Sequence, residues 1–332
     1  METDFLIIGQ GLAGTLLAYE LMQNGNDVQV IDNQHSEAAT AVAGGLINPI
    51  TGRRIVKTEQ IDELLPQAKS TYQALEKYLN IQLWQEQTVL WSLSSIKEEN
   101  DWYVRASQDR IKDYVVAEPD LKDILTKVKN VTSFGEVRHA AQVNIALLIS
   151  AFAKKLLSEN RLLLENFDFN QLFIQSDFIT YKNIKAKKIV FCEGHRGRFN
   201  PLFQGLNFAV AKGEALIIQA QDLPADSVLK NNITICPLPD GTFWVGSNYE
   251  WNPTDCEPTE SIRNEFEGYL NGFLNVPYQV LAHHAAIRPT MKDRQILTLI
   301  HPDFPNVAMF NGLGTKGTSL APYWAKHFAK II

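Results

Sequence analysis

Apolar residues run unbroken through Phe5-Leu6-Ile7-Ile8 and then recur at Leu12, Leu16, Leu17 and Leu21. The continuous run predicts a buried strand, and the three-and-four spacing after it predicts a helix from Leu12 to Asn24, stopped by Asn24-Gly25. Val28-Gln29-Val30-Ile31 returns to a strand and ends on Asp32. Residues 59–80 read as a second helix. Thr88–Leu93 and Trp102–Arg105 read as two strands about the polar turn Lys97–Asp101, in which Glu98 and Glu99 are simply solvated. A helix from about Asn144 to Leu157 follows, then several short strands that end with Lys187–Cys192 running into Glu193-Gly194. Strands return at 214–220, 233–237 and 242–247, separated by Asp240-Gly241 and other turn signals. A helix at 259–274 precedes Pro277; strands at Ile296–Leu299 and Val307–Phe310 lead through a glycine-rich turn into a last helix containing Trp324 and Phe328. Strand–helix alternation at both ends, with antiparallel strands between and no repeat or low-complexity linker, predicts an α/β chain, α+β overall, with interleaved domains.

Between the first strand and first helix stands Gly9-Gln10-Gly11-Leu12-Ala13-Gly14, with Asp32 and Asn33 at the end of the second strand. This is a dinucleotide-binding fingerprint in its strand–turn–helix setting. Gly9 permits the tight turn, Gly11 lets backbone amides approach a pyrophosphate, and Gly14 lets the helix lie close on the sheet. The helix N-terminus then meets the phosphates. A carboxylate at position 32 accepts hydrogen bonds from ribose hydroxyls and repels a 2′-phosphate, which disfavours NADP. The fingerprint alone leaves NAD and FAD open.

The bulk numbers narrow the partners. A net charge of −6 over 332 residues gives no general attraction to nucleic acid or anionic lipid. No apolar run approaches the roughly 20 residues that span a bilayer. Three scattered cysteines, Cys192, Cys236 and Cys256, make neither a disulfide framework nor a thiolate metal cluster and suit a reducing cytoplasm. The first apolar residues already form the fingerprint strand, so a cleaved signal peptide there is not expected. His283 and His284 match no metal-ligand spacing, and no metal is expected.

Two further glycine segments bear on the cofactor. Residues 39–49 are a small-residue run containing Ala41, Ala43, Gly44, Gly45 and Leu46, through which the backbone can approach a flat ring. Gly312, Gly314, Thr315, Lys316 and Gly317 join an apolar strand to a helix and form a second potential anion site. Together with the fingerprint, the KGEALII strand at 212–218 and the IRP at 287–289, these segments resemble the D-amino-acid oxidase and glycine oxidase family of FAD-dependent oxidoreductases. Sarcosine oxidase and the flavin domain of a bacterial tRNA-modifying enzyme belong to the same group. The resemblance implies a Rossmann-like FAD-binding domain made of residues 1–80, 138–200 and 285–332, and a substrate domain with a mixed, largely antiparallel sheet made of residues 81–137 and 201–284. It implies that the small-residue run, Gly194 and the C-terminal turn contact FAD. No cysteine lies where sarcosine-oxidase-like members attach their flavin, so a noncovalent cofactor is expected.

By the same resemblance Arg288 holds a substrate carboxylate, for which a guanidinium fork is suited; the alternative is an arginine that ties two loops together. Lys316 falls where some members carry a second carboxylate-binding lysine, and Tyr249 where the family often places an aromatic hydroxyl. Arg53 and Arg54 read as a solvated pair, with contact to substrate or phosphate as the alternative. At most one of His283 and His284 can face the flavin, because adjacent strand residues point to opposite faces. Two departures stand out. Asp293–Thr298 lacks the glycines and proline usual after the arginine, and Glu193 places a bulky acid beside the adenosine half of the site. The expected activity is oxidation of the C–N bond of a small amine or amino acid by hydride transfer to flavin N5, with oxygen or another electron acceptor. The alternatives are a flavin-dependent step on tRNA, a redox-silent FAD-binding protein, and a plain NAD-linked dehydrogenase.

Overall fold

The computed structural model describes residues 1–35, 37–52, 55–121 and 123–332. Along the chain its principal elements are β1 (Glu2–Ile8), α1 (Leu12–Gln23), β2 (Val28–Asp32), α2 (Ile61–Leu79), β3 (Trp84–Leu93), α3 (Ile96–Ala106), β4 (Ser133–Val143) and α4 (Ile145–Ser158). There follow β5 (Leu162–Leu164), β6 (Ile184–Phe191), β7 (Ala211–Gln219), β8 (Phe243–Gly246), α5 (Glu260–Phe273), β9 (Gln279–Arg288), β10 (Val307–Asn311) and α6 (Gly317–Phe328).

The first sheet is parallel at its centre. β1 lies between β2 and β6, β5 extends it beyond β2, and β10 pairs with the second half of β6. Short antiparallel strands at 172–174, 179–181 and 297–300 finish its edges. β1 is apolar at every position from 5 to 8 because both of its faces are covered. Phe5 and Ile7 pack with Leu16, Leu17, Phe152, Phe310 and Phe328 under α1, α4 and α6. Leu6 and Ile8 pack with Ile31, Ile189, Phe191 and Phe203 on the other side. Burial of Leu16, Leu17 and Leu21 to 0% exposure fixes α1 on the sheet, each contributing about 2 kcal/mol.

The second sheet is mixed, largely antiparallel, and runs Glu250–Trp251, β7, β8, 234–237, 228–230, β3, β4, Leu46–Ile47. β9 pairs along the other edge of β7. Leu216, Ile218 and Val245 face α5, which packs on them through Phe266, Leu270 and Phe273. Thr259 caps α5 by accepting from the Ile262 amide.

One expected element is corrected. Trp102–Arg105 is not a strand but part of the helix α3. Ser95 Oγ accepts from the Glu98 amide while Glu98 Oε2 accepts from the Ser94 amide (2.7 Å), a reciprocal cap that starts the helix. Glu98 and Glu99 are therefore first-turn residues with partners; Glu99 Oε1 accepts from Ser133 Oγ at 2.6 Å. Trp102 is fully buried and donates through Nε1 to Val116 O (3.0 Å). Its indole sits where a Cβ at Gly135 would be. The antiparallel partner of β3 is β4, whose alternation is hidden in the sequence by Gly135 and by an irregularity in its register. No helix among the described residues is long and apolar enough to cross a membrane, and no group of His, Cys, Asp and Glu among them could hold a metal ion.

Candidate cofactor and substrate site

A cavity of about 670 Å³ opens at the C-terminal ends of β1, β2 and β6, bounded across the gap by the turn between β10 and α6. This is where a parallel open sheet places ligands. Gly9 adopts φ +101°, and a Cβ there would run into the Cys192 carbonyl. A Cβ on Gly14 would overlap the carbonyl oxygen of Gly9, so only glycine lets α1 begin this close to β1. The N-cap of α1 is Gly11, which supplies no side chain to the first turn; the Leu12 amide donates to Thr40 Oγ1 (3.3 Å), and the following first-turn amides are left to a ligand. Asp32 is held by two backbone amides: that of Gln10 donates to Oδ2 (2.7 Å) and that of Gln34 to Oδ1 (2.5 Å).

Gly9, Gly11, Leu12, Ala13, Asp32, Asn33, Ala41, Ala43, Gly194, Gly314, Thr315 and Gly317 line this cavity. Gly14 lies beneath it. Gly44, Gly45, Leu46, Gly312 and Lys316 are not part of the lining. Gly44 is pressed against the indole of Trp244, whose Nε1 donates to Val42 O (2.9 Å). Gly45 O accepts from the Val143 amide (3.0 Å), and Leu46 pairs with Gln142 in the second sheet. The C-terminal turn is braced from three sides: the Gly314 amide donates to Pro289 O (3.1 Å), Asn311 Nδ2 to Gly194 O (2.9 Å), and Tyr72 OH to Thr318 O (2.9 Å).

The cavity also gathers residues that local sequence patterns do not announce. His35 and His195 meet edge to face with centroids 6.3 Å apart. Burial, and then the nearby His35 and the positive Arg196 and Arg198, push His195 down to about 4, so it is neutral at pH 7. His35 Nδ1 is buried and has no hydrogen-bond partner among the described residues. A buried nitrogen left in this state calls for a polar group from a ligand. The uncapped helix start, the carboxylate of Asp32 and this unsatisfied nitrogen together fit the phosphates and polar edges of a dinucleotide.

Glu193, at the cavity wall, accepts from Asn200 Nδ2 (2.7 Å). Burial pushes its pKa from an ordinary 4.5 up to about 7, against the opposing pull of that hydrogen bond. Because the folded pKa is the raised one, the stabilisation from keeping this acid neutral is complete below about pH 4.5 and is lost as pH rises through about 7. Glu193→Gln, which keeps an acceptor for Asn200 without the charge, should match the parent in stability at pH 4 and exceed it at pH 8 to 9, by about 3 kcal/mol at most. Identical Tm profiles for the two proteins across pH would remove the carboxyl from this role.

The second sheet presents Arg288, the last residue of β9, beside the same turn. Its Nη1 donates to Lys212 O (3.3 Å) and Asn248 O (3.2 Å), and its Nη2 to Ser247 Oγ (2.7 Å). The guanidinium lies over Gly213, where a Cβ would overlap it. The ring of Tyr249 covers one face, its centroid 4.6 Å from Cζ. Arg288 makes no ion pair among the described residues. Burial lowers its pKa, with Tyr249 opposing. On the opposite face of the sheet, buried Glu214 accepts from the Thr259 amide (2.7 Å) and stands 2.9 Å from His283 Nε2. Buried Lys212 lies 2.9 Å from Glu250 Oε2. His284 pairs with Ala215, on the same face as Arg288, and is exposed. Lys316 is exposed at the rim, its Nζ 3.4 Å from Thr58 Oγ1. Residues 293–298 form a turn and the start of the edge strand Leu297–Ile300, which pairs with β10. Arg53 and Arg54 lie outside the described residues.

Solved structures share this architecture. Glycine oxidase from Bacillus cereus ATCC 14579 superposes with a TM-score of 0.80 at 14% identity, covering 99% of this chain and 94% of that one. Glycine oxidase from Geobacillus kaustophilus gives 0.79 at 17%, covering 98% and 92%. Iminodiacetate oxidase from Chelativorans sp. BNC1 gives 0.78 at 19%, covering 99% and 95%. At these identities the likeness is one of fold. The family described as FAD dependent oxidoreductase (DAO) matches residues 4–331. A glycine turn that brings an uncapped helix to a cavity, an acid at the end of the second strand, and a family match over nearly the whole length place the chain in the DAO family of FAD-dependent oxidoreductases.

Proposed function

We propose that this protein oxidises the carbon–nitrogen bond of a small amine or amino acid that carries a carboxylate, and passes the electrons to oxygen or another acceptor. One observation carries the reading. A guanidinium has five N–H groups, and the two on Nη1 and one of those on Nη2 are committed to Lys212 O, Asn248 O and Ser247 Oγ. The remaining two, on Nε and Nη2, lie along one edge of the fork and match the two oxygens of a carboxylate. FAD supplies the hydride acceptor. Arg288 fixes the substrate's orientation, and that positioning lowers the barrier. A substrate arriving as the neutral amine needs no base from the protein, consistent with His283 facing away toward Glu214.

The expected holoprotein carries FAD noncovalently, releases it on heating, and works in the cytoplasm, in keeping with three unpaired cysteines. Lys316 and Tyr249 are proposed as secondary contacts of the substrate. The proposed FAD-binding part comprises residues 1–80, 138–200 and 285–332. The test is anaerobic mixing of the flavoprotein with glycine, N-methylglycine and the D- and L-amino acids; failure of all of them to bleach the flavin would refute the amino-acid reading. Gly213→Ala gives an independent check. Its Cβ displaces only the flexible end of Arg288, so Tm should stay within about 1 kcal/mol-equivalent of the parent while KM rises about tenfold or more.

A further inference from the structure

Beside the carboxylate clamp stand two aromatic rings, of which the proposed chemistry uses only Tyr249. Tyr249 and Trp251 are each 54% exposed. They stack on one another, with centroids 6.1 Å apart and planes inclined by 28°. Single surface aromatics are ordinary. These two instead continue a stack that starts at Arg288, with Tyr249 over the guanidinium and Trp251 beyond it. The strand register explains the alignment. Ala211 pairs with Trp251 on one side and with Arg288 on the other, which puts Trp251 and Arg288 on one face of the sheet, two strands apart.

We infer that the substrate of this site carries a flat aromatic or heteroaromatic ring, which stacks on Trp251 while its carboxylate is held by Arg288. The inference rests on the carboxylate-clamp reading above. The two contacts are geometrically compatible. Tyr249 occupies the face of the guanidinium, as a cation–π partner must, whereas a carboxylate binds in the guanidinium plane, at its edge. A ligand bound at that edge therefore extends alongside Tyr249 toward Trp251. A short aliphatic substituent leaves the indole in water; an aromatic one covers it with an offset stack. Aromatic stacking also tolerates different ring chemistries, because it reads the π-face rather than particular donors and acceptors.

The test uses the FAD-loaded protein and matched ligand pairs. Phenylacetate and acetate are titrated against the visible spectrum of the bound flavin, and kcat/KM is compared for N-benzylglycine against N-methylglycine and for D- and L-phenylalanine against D- and L-alanine. Phenylacetate is expected to bind at least tenfold more tightly than acetate, and the aromatic member of a reactive pair to have the higher kcat/KM. Trp251→Ala should cut each aromatic-to-aliphatic ratio about tenfold, and Trp251→Phe should restore most of it. Ratios near one, or ratios that Trp251→Ala leaves unchanged, overturn the inference while the carboxylate-clamp reading stands. A Trp251-dependent preference for phenylacetate without flavin reduction by any amine supports the aromatic subsite and overturns the proposed oxidation instead.

Discussion

Arg288→Lys should lower kcat/KM for a carboxylate-bearing amine by about two to three orders of magnitude while leaving the flavin spectrum unchanged. A lysine ammonium is a point donor that cannot offer two parallel hydrogen bonds. It also abandons the carbonyls of Lys212 and Asn248 and the hydroxyl of Ser247, which now fix the fork. Charge-assisted hydrogen bonds contribute about 1.5–3 kcal/mol each, so losing one bidentate pair gives the factor quoted. The variant should still fold, because the only groups left behind are two carbonyls and one hydroxyl in a region open to water on one side. Steady-state kinetics beside a melting curve separates the two effects. Undiminished kcat/KM at unchanged Tm would return Arg288 to the role of a strut between β7, β9 and the 247–249 loop.

Gly14→Ala is expected to abolish flavin retention and to cost about 3 kcal/mol or more of stability. The atom in the way is the carbonyl oxygen of Gly9, part of the backbone turn proposed to meet the pyrophosphate, and it cannot swing aside as a side chain would. Relief must come from moving α1 off β1, which drags the first-turn amides out of position. Gly268→Ala is the matched control, since it sits inside α5 with nothing within 4 Å of the new methyl group. It should stabilise the protein by about 0.5–1 kcal/mol through helix propensity and leave the flavin in place. Equal flavin content in the two variants would show that the fingerprint turn tolerates adjustment.

What the sequence disclosed was local. Gly9 to Gly14 and Asp32 are bound by the geometry of one strand–turn–helix–strand unit, so their spacing alone reveals them. α3 was missed because Trp102, Tyr103 and Val104 are residues that favour strands, while the start signal lies seven residues earlier in Ser95-Ile96-Lys97-Glu98, a capping-box spacing. His35 and His195 escaped notice because their proximity depends on β2 and β6 lying on either side of β1. The partners of Arg288 come from positions 212, 247 and 248, brought together only by the pairing of β7 with β9 and of β7 with β8. Local chemistry writes itself into short patterns, whereas the face proposed for the substrate is a product of sheet register and leaves no such mark.

The cleft proposed for the cofactor draws its two walls from turns far apart in the chain: the turn at 9–14 from β1, and the turn at 312–317 from β10. On the ribosome the first wall is made well before β10, which completes the sheet beside β6, and the turn behind it. Until then the apolar edge of β6, with Ile189, Val190 and Phe191 buried to 0% exposure in the finished protein, has no neighbour on that side. From the synthesis of β6 until that of β10 the nascent chain therefore carries an unfinished sheet, a state that invites aggregation. A cleft walled by both turns cannot form around the proposed cofactor before β10 and α6 are made, so a shortage of that cofactor would act after both turns exist and not on their translation.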